Sequence, residues 1–434
     1  MAGVEMIKLL KNCTYLTKDY DFQKGNILIE DGIIIGISSD FNESNYETDE
    51  ITDCKDFLVL PGFVNGHTHN PSMLFRGLFK DKALLEWFDN KKQGRLQKKG
   101  FKFLDQEINE KDFKFLMLKS YTEYLKQGIT TIVETGQSDI EDVIPWTAQA
   151  LKTSNLRGVI DVYDEIESFY HKSNEYIKYC THLPEEENIT NNILPKLKKR
   201  KDRIPSLLMT HCLETINRKK IVYDNYLKST VELFDEFNLL DKNTLLFHCT
   251  HVDKNDIKII GERNATIVYC PVSNYWSGGG NAPIEKFMES DINVMLGTDF
   301  LLSDLREVMR NSYYSLKINA ALDEYKAKDI FKMVTINAYK VLAPEIKIGL
   351  IDIDHKADLQ FINKNDTRLW PLIKDNNFTN ILNNILLHSR SDMVKNVMID
   401  GNWIIKDEKI LVFDEGNINT KYKKILNKIY KGLQ

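Results

Sequence analysis

The sequence predicts an α/β fold, with a closed β/α barrel in the middle of the chain and a small β domain assembled from both ends. Three observations carry this reading. From about Pro61 to Ile348, short apolar strands alternate with long amphipathic helices. Before and after that stretch, short strands follow one another without helices between them. Each end also carries an Asp-Gly hairpin signal, Asp31-Gly32 and Asp400-Gly401.

In chain order, Ile7–Leu10, Asn26–Glu30, Ile33–Ile37 and Phe57–Leu60 read as strands cut by turn residues. The middle offers Phe63–Gly66, Thr130–Glu134, Arg157–Val162, Leu207–His211, Leu245–Cys249, Thr266–Cys270 and Asn293–Gly297 as buried strands. Helical patterns cover Glu110–Gln127, Asp224–Phe237, Ile284–Glu289, Leu305–Ile318 and Lys326–Leu342. Seven or eight such units over about 290 residues fit a closed barrel better than an open sheet. Pattern alone leaves a doubly wound sheet open, but no glycine-rich dinucleotide fingerprint follows any strand. Strands return at Asp358–Ile362, Val394–Ile399 and Asn402–Lys406, and Asn419–Tyr430 reads as a basic surface helix. Residues 1–60 and 349–434 are therefore expected to form one composite β domain, and 61–348 the catalytic barrel.

Bulk properties narrow the function. A 434-residue chain with 42% hydrophobic and 28% charged residues is typical of a soluble globular protein. A net charge of −5, with both signs interspersed, gives no basic face for nucleic acid. No apolar run approaches the ~20 residues that span a bilayer, and the N-terminus does not read as a signal peptide. Six dispersed cysteines without a CxxC pair predict free thiols in a reduced, cytoplasmic protein.

The chemistry sits at strand ends. His67 and His69 are two residues apart, so an extended chain turns both imidazoles to one side. They follow the strand at Phe63, at the edge where barrels build their sites. An HxH pair alone is a weak signal. His211 ends a second apolar strand, and Glu214 follows three residues later. His248 ends a third; His251 is the reserve choice there, or a helix cap. Asp299 follows a fourth, where a lone buried charge is costly unless paired or bound to metal. The alternative for Asp299, an N-cap of the helix near Leu305, is supplied more naturally by Ser303 or Asp304. Each cluster is ambiguous alone. Four strands ending in HxH, His, His and Asp together point to a divalent ion with a position left open for water.

Pro61-Gly62-Phe63-Val64-Asn65-Gly66-His67-Thr68-His69 and Leu74-Phe75-Arg76-Gly77-Leu78 resemble the amidohydrolase superfamily. Gly128-Ile129-Thr130-Thr131, His211 with Glu214, His248-Cys249, Tyr269–Asn274, Gly297-Thr298-Asp299 and the late Gly349…Lys356-Ala357-Asp358-Leu359 extend the likeness over nearly the whole chain. The branch is that of methylthioadenosine/S-adenosylhomocysteine deaminases, guanine deaminases and triazine hydrolases. The resemblance implies a distorted (β/α)8 TIM barrel with a β-sandwich from both termini. It implies one divalent ion, zinc or iron, on His67, His69, His211 and Asp299. It implies catalytic or substrate-contacting roles for Glu214 and His248, with Asp299 both ligand and proton acceptor. The reaction implied is hydrolytic deamination of an amino-substituted N-heterocycle, a small molecule. Opening of a cyclic amide, displacement of halide or alkylamine, or a non-catalytic metal-binding barrel are the alternatives. Relatives are often dimers or larger.

Arg76, Trp87, His251, Asn274, Trp276 and Ser303 are the expected substrate contacts, and Ser277–Asn281 a candidate lid. Two family features are not found. No Pro-His element precedes His211, so His171 and His182 are expected on the surface. The acidic loop residue that relatives place after the Trp near position 87 is not found; Asn90–Lys99 is rich in Lys and Gln instead.

Overall fold

Two kinds of strand pattern become two separate sheets in the computed structural model. It describes the chain except residues 1–5, 40, 42–47, 80, 83–90, 137–139, 141, 164–165, 376–377 and 432–434. The N-terminal strands are β1 (Ile7–Leu16), β2 (Phe22–Glu30), β3 (Ile33–Ser38), β4 (Glu50–Asp53) and β5 (Phe57–Pro61). The barrel strands are β6 (Phe63–Thr68), β7 (Ile129–Glu134), β8 (Arg157–Val162), β9 (Ile177–His182), β10 (Leu208–Cys212), β11 (Thr244–His248), β12 (Thr266–Tyr269) and β13 (Val294–Leu296). Then come β14 (Leu359–Asn363), β15 (Val394–Ile399), β16 (Asn402–Lys406) and β17 (Lys409–Ile410).

β6 to β13 form one parallel eight-stranded sheet in sequence order. Most of their residues are buried, as strands covered on both faces must be. The sheet curls until β13 meets β6. That last joint is a single bridge, Thr68 to Asp299, in which the Asp299 N–H donates to the His67 carbonyl at 2.9 Å. Asn65 fastens it from the side: its Oδ1 accepts from the Thr298 N–H at 2.9 Å and its Nδ2 donates to the Thr298 hydroxyl at 2.8 Å. Gly297 is required there, because a Cβ would lie 2.7 Å from the Cβ of His67. The barrel is thus nearly closed, and its joint passes through two of the expected metal ligands.

The terminal strands form a nine-stranded mixed sheet in the order β17-β16-β15-β14-β5-β1-β2-β3, with β4 on β1. The β5–β14 pair joins the two ends of the chain, Leu359 opposite Pro61 and Asn363 opposite Phe57. Both hairpin signals are real turns, with φ of +45° and +81° at Asp31-Gly32 and +50° and +71° at Asp400-Gly401. Asp358, of the Lys-Ala-Asp-Leu segment, accepts from Arg157 of β8 at 2.8 Å, a buried ion pair that fixes this sheet to the barrel.

Four expectations change. The fourth barrel strand, Ile177–His182, is not among the expected strands and lies in the polar region read as surface. Ile177 and Lys178 are only partly buried, and of Tyr179–His182 the last two are polar, so its apolar run is too short to register. The helix expected over Asp224–Phe237 is two helices, Ile216–Tyr226 and Thr230–Glu236. Leu227 turns left-handed (φ +55°), and Ser229 with Glu232 forms a reciprocal cap that starts the second. Lys326–Leu342 is likewise split into Ala327–Met333 and Ile336–Leu342, and the Val334 carbonyl freed there accepts from the N–H of Val64 on β6 at 2.8 Å. The last helix, Glu415–Ile429, buries Ile418, Ile425 and Ile429 rather than lying on the surface, and Tyr430 donates to the Leu74 carbonyl.

Candidate metal centre

The C-terminal ends of β6, β10, β11 and β13 converge. Left-handed backbone at His248 (φ +68°) and Asp299 (φ +64°) turns both side chains inward. Such φ values are uncommon outside glycine and cost about 1–3 kcal/mol each, so they persist only where surrounding contacts enforce them.

Four donor atoms face one point. Asp299 Oδ1 lies 3.1 Å from His67 Nε2 and 3.2 Å from His69 Nε2. His69 Nε2 is 3.2 Å from both His67 Nε2 and His211 Nε2. Ligands about 2.0–2.1 Å from a tetrahedral ion would stand about 3.3 Å apart, close to these spacings. Three imidazole nitrogens crowded at hydrogen-bonding distance lack protons to share, which a cation would resolve. The residues present therefore fit a divalent metal ion.

The rings are held from behind. His67 is fully buried, its ring stacked on Phe247 at 3.9 Å between centroids, its Nδ1 3.3 Å from the Thr135 hydroxyl. His211 Nδ1 donates to Glu185 Oε1 at 2.8 Å, which frees Nε2 to act as a ligand. Ser273 donates to Asp299 Oδ2. Burial holds the His67 and His211 pKa values well below that of free imidazole, keeping both rings neutral. Burial alone would raise the Asp299 carboxyl; His67 and His69 beside it hold it well below the carboxylate range instead. His69 is raised despite burial, because Asp299, Asp161 and Glu185 surround it.

Glu214 and His248 face the same point. His248 Nδ1 donates to Asn274 Oδ1 at 2.7 Å, while its buried Nε2 has no hydrogen-bond partner among the described residues and lies 3.8 Å from Asp299 Oδ2. Glu214 is buried, which raises its carboxyl pKa against the pull of His248 and Arg218.

The expected substrate contacts divide. Asn274 is at the centre, on His248. Arg76 and Ser303 meet each other, both engaged with Glu123. His251 Nε2 donates to the Gly279 carbonyl at 2.7 Å, fixing the Ser277–Asn281 loop beside the Glu214 backbone. Trp276 is partly exposed near Phe79, and Phe300 packs edge-on against His69. Phe75 is wholly buried core, Asp304 rather than Asp299 caps the helix Leu305–Asn319, and Trp87 lies outside the described residues.

Four residues at the site were not anticipated. His182 is buried rather than on the surface: it ends β9, stacks on Tyr163 at 4.2 Å and lies 6.2 Å from the His211 ring. His171 is exposed, as expected. Glu185 contacts His211 and Ser273 contacts Asp299, while Arg218 meets Glu185 and Glu214. For His182 a signal existed: Ile177–Thr181 is a short strand pattern ending in His, like the others.

A model of the amidohydrolase family matches residues 58–404. This chain belongs to the amidohydrolase family. Family membership makes it a hydrolase acting on C–N bonds. A 5-methylthioadenosine/S-adenosylhomocysteine deaminase from Pyrococcus horikoshii is 28% identical over 422 residues, covering 93% of this chain and 95% of its own. Among solved structures, an adenosine deaminase from Xanthomonas campestris with bound zinc superposes with a TM-score of 0.85 at 17% identity, covering 97% of this chain and 98% of its own. A triazine hydrolase from Arthrobacter aurescens gives 0.83 at 15% identity, over 97% of this chain and 100% of its own. These two share the family fold. Among the described residues no helix is long and apolar enough to cross a membrane, and all six cysteines are free.

Proposed function

We propose that this protein is a hydrolytic deaminase of amino-substituted N-heterocycles, with 6-aminopurine nucleosides first among them, working with one zinc ion. The observation that carries the reading is the four-donor cage with a buried carboxylate and an unpartnered imidazole nitrogen facing the same point. The resemblance to a methylthioadenosine deaminase along almost the full length of both chains supports the substrate class.

His67, His69, His211 and Asp299 would hold the ion. When bound, it would acidify a water molecule at the open position and polarise the carbon under attack. Asp299 accepts the proton of the attacking water, with Ser273 orienting the oxygen that receives it. Glu214, its acid form favoured by burial, gives a proton to the ring nitrogen beside the carbon. His248 Nε2 orients the attacking water, and Asn274 fixes its ring. Asp299 passes its proton to the departing amine and the adduct's hydroxyl proton returns to Glu214, so ammonia leaves and an oxo group replaces the amine.

The test is ammonia release by the zinc-loaded protein from 5-methylthioadenosine, S-adenosylhomocysteine, adenosine, guanine, a pterin and an aminotriazine. Nucleosides are expected to be fastest. Release of chloride, alkylamine or a ring-opened acid instead would move the assignment to another leaving group. Stoichiometric metal without turnover of any compound would make the barrel a binding protein.

A further inference from the structure

Arg218 lies on the first turn of the helix Ile216–Tyr226, four residues after Glu214. Its largely buried guanidinium meets four carboxylates. Nη1 is 2.7 Å from Glu214 Oε2 and 3.5 Å from Glu185 Oε2. Nη2 is 2.9 Å from Glu187 Oε1, and Nε is 3.9 Å from Glu186 Oε2. Neutralising the run Glu185–Glu187 would be a sufficient structural reason for an arginine here. Two of the four partners have other work, however. Glu185 accepts from the Nδ1 of His211 through its second oxygen, Oε1. Glu214 faces the cage. A planar guanidinium sets the relative position of two carboxylates in a way an ammonium does not. In a desolvated wall such contacts are stronger than at a surface.

We infer that Arg218 is a positioning residue, bracing at once the carboxylate that orients metal ligand His211 and the carboxylate that serves proton transfer. The second half rests on the role given above to Glu214; the first does not.

The test uses the full-length protein and cobalt(II), whose affinity is read by competition with a chromophoric chelator. E185Q should weaken cobalt about 10–100-fold, the range for ligand-orienting partners. R218Q should weaken it at least about threefold, and R218Q/E185Q should be no weaker than E185Q alone. Thermal unfolding reports whether each variant folds. If R218Q does not, R218K carries the test, since it keeps the charge and loses the fork. Wild-type cobalt affinity in the Arg218 variants, or losses that multiply with E185Q, would overturn the bracing of His211. In the zinc form with 5-methylthioadenosine, R218Q should lower kcat at least about 30-fold with KM within about threefold, and add nothing to E214Q. R218K should recover part of that loss. If E214Q loses turnover and R218Q multiplies that loss, the inference fails while the proton-transfer role stands. If E214Q keeps full turnover, or the wild type does not turn over this nucleoside, it is the functional reading that fails, and the cobalt measurements still decide for or against Arg218.

Discussion

The two sides of the metal centre are built by different physics. On the β6–β13 side, His67 and Asp299 are joined through the backbone, and the neighbouring Asn65 and Thr298 are uncharged. On the β9–β10 side, His211 and Glu214 are held by side chains, through Glu185 and one arginine. Ligand placement on the first side is inseparable from barrel closure. On the second it is a property of a charge network that can change without altering the fold. The likeness on the first side runs unbroken from Pro61 to His69; on the second, His211 and Glu214 share it while the expected Pro-His element is not found.

That contrast can be broken by experiment, starting with the largest effect. Replacing Asp299 by Ala should abolish bound metal and lower turnover by more than about 10³-fold, since it removes a ligand and a proton acceptor together. Metal analysis and initial rates check this. Glu214→Gln should lower kcat about 10²–10⁴-fold with metal content and melting temperature unchanged. Loss of metal in that variant would show that ligand placement and proton transfer are not separable on the β9–β10 side.

A smaller effect concerns pH. Burial pushes the Glu134 carboxyl up to about 7, against hydrogen bonds from Asn70 and Thr68. A raised carboxyl keeps its proton in the folded state while the unfolded chain releases it near 4.5. Its stabilising contribution is therefore full below about pH 4.5 and lost as pH rises through 7, by up to about 3 kcal/mol. Glu134→Gln in the metal-free protein should flatten that decline, read as denaturation midpoints between pH 5 and 7. An unchanged slope would reassign the titration. Smallest is Gly297→Ala, whose Cβ would press on His67. It should cost about 1–3 kcal/mol and loosen metal binding, and a normal melting temperature would show that the joint has slack.

Legibility in the sequence follows the same division. The strands ending in His67, His211, His248 and Asp299 announce themselves because each is an apolar run followed by a polar group. Spacing favours His248 over His251 because it lies nearer the strand end; the left-handed backbone at His248 is what spacing does not show. β9 escaped because its buried part, Tyr179–His182, mixes apolar and polar residues, and His182 and Glu185 escaped with it. Arg218 carries no signal of its own in the sequence; its four acidic partners come from two segments about 30 residues apart and meet only in the folded chain.

The single bridge between Thr68 and Asp299 has a mechanical corollary. A cation seated between His67 and Asp299 would straddle the place where the cylinder's circumference is joined, and so act as a rivet as well as a reagent. Stripping it should leave amide protons along β6 and β13 exchanging faster than those of β7 and β8, far from the joint.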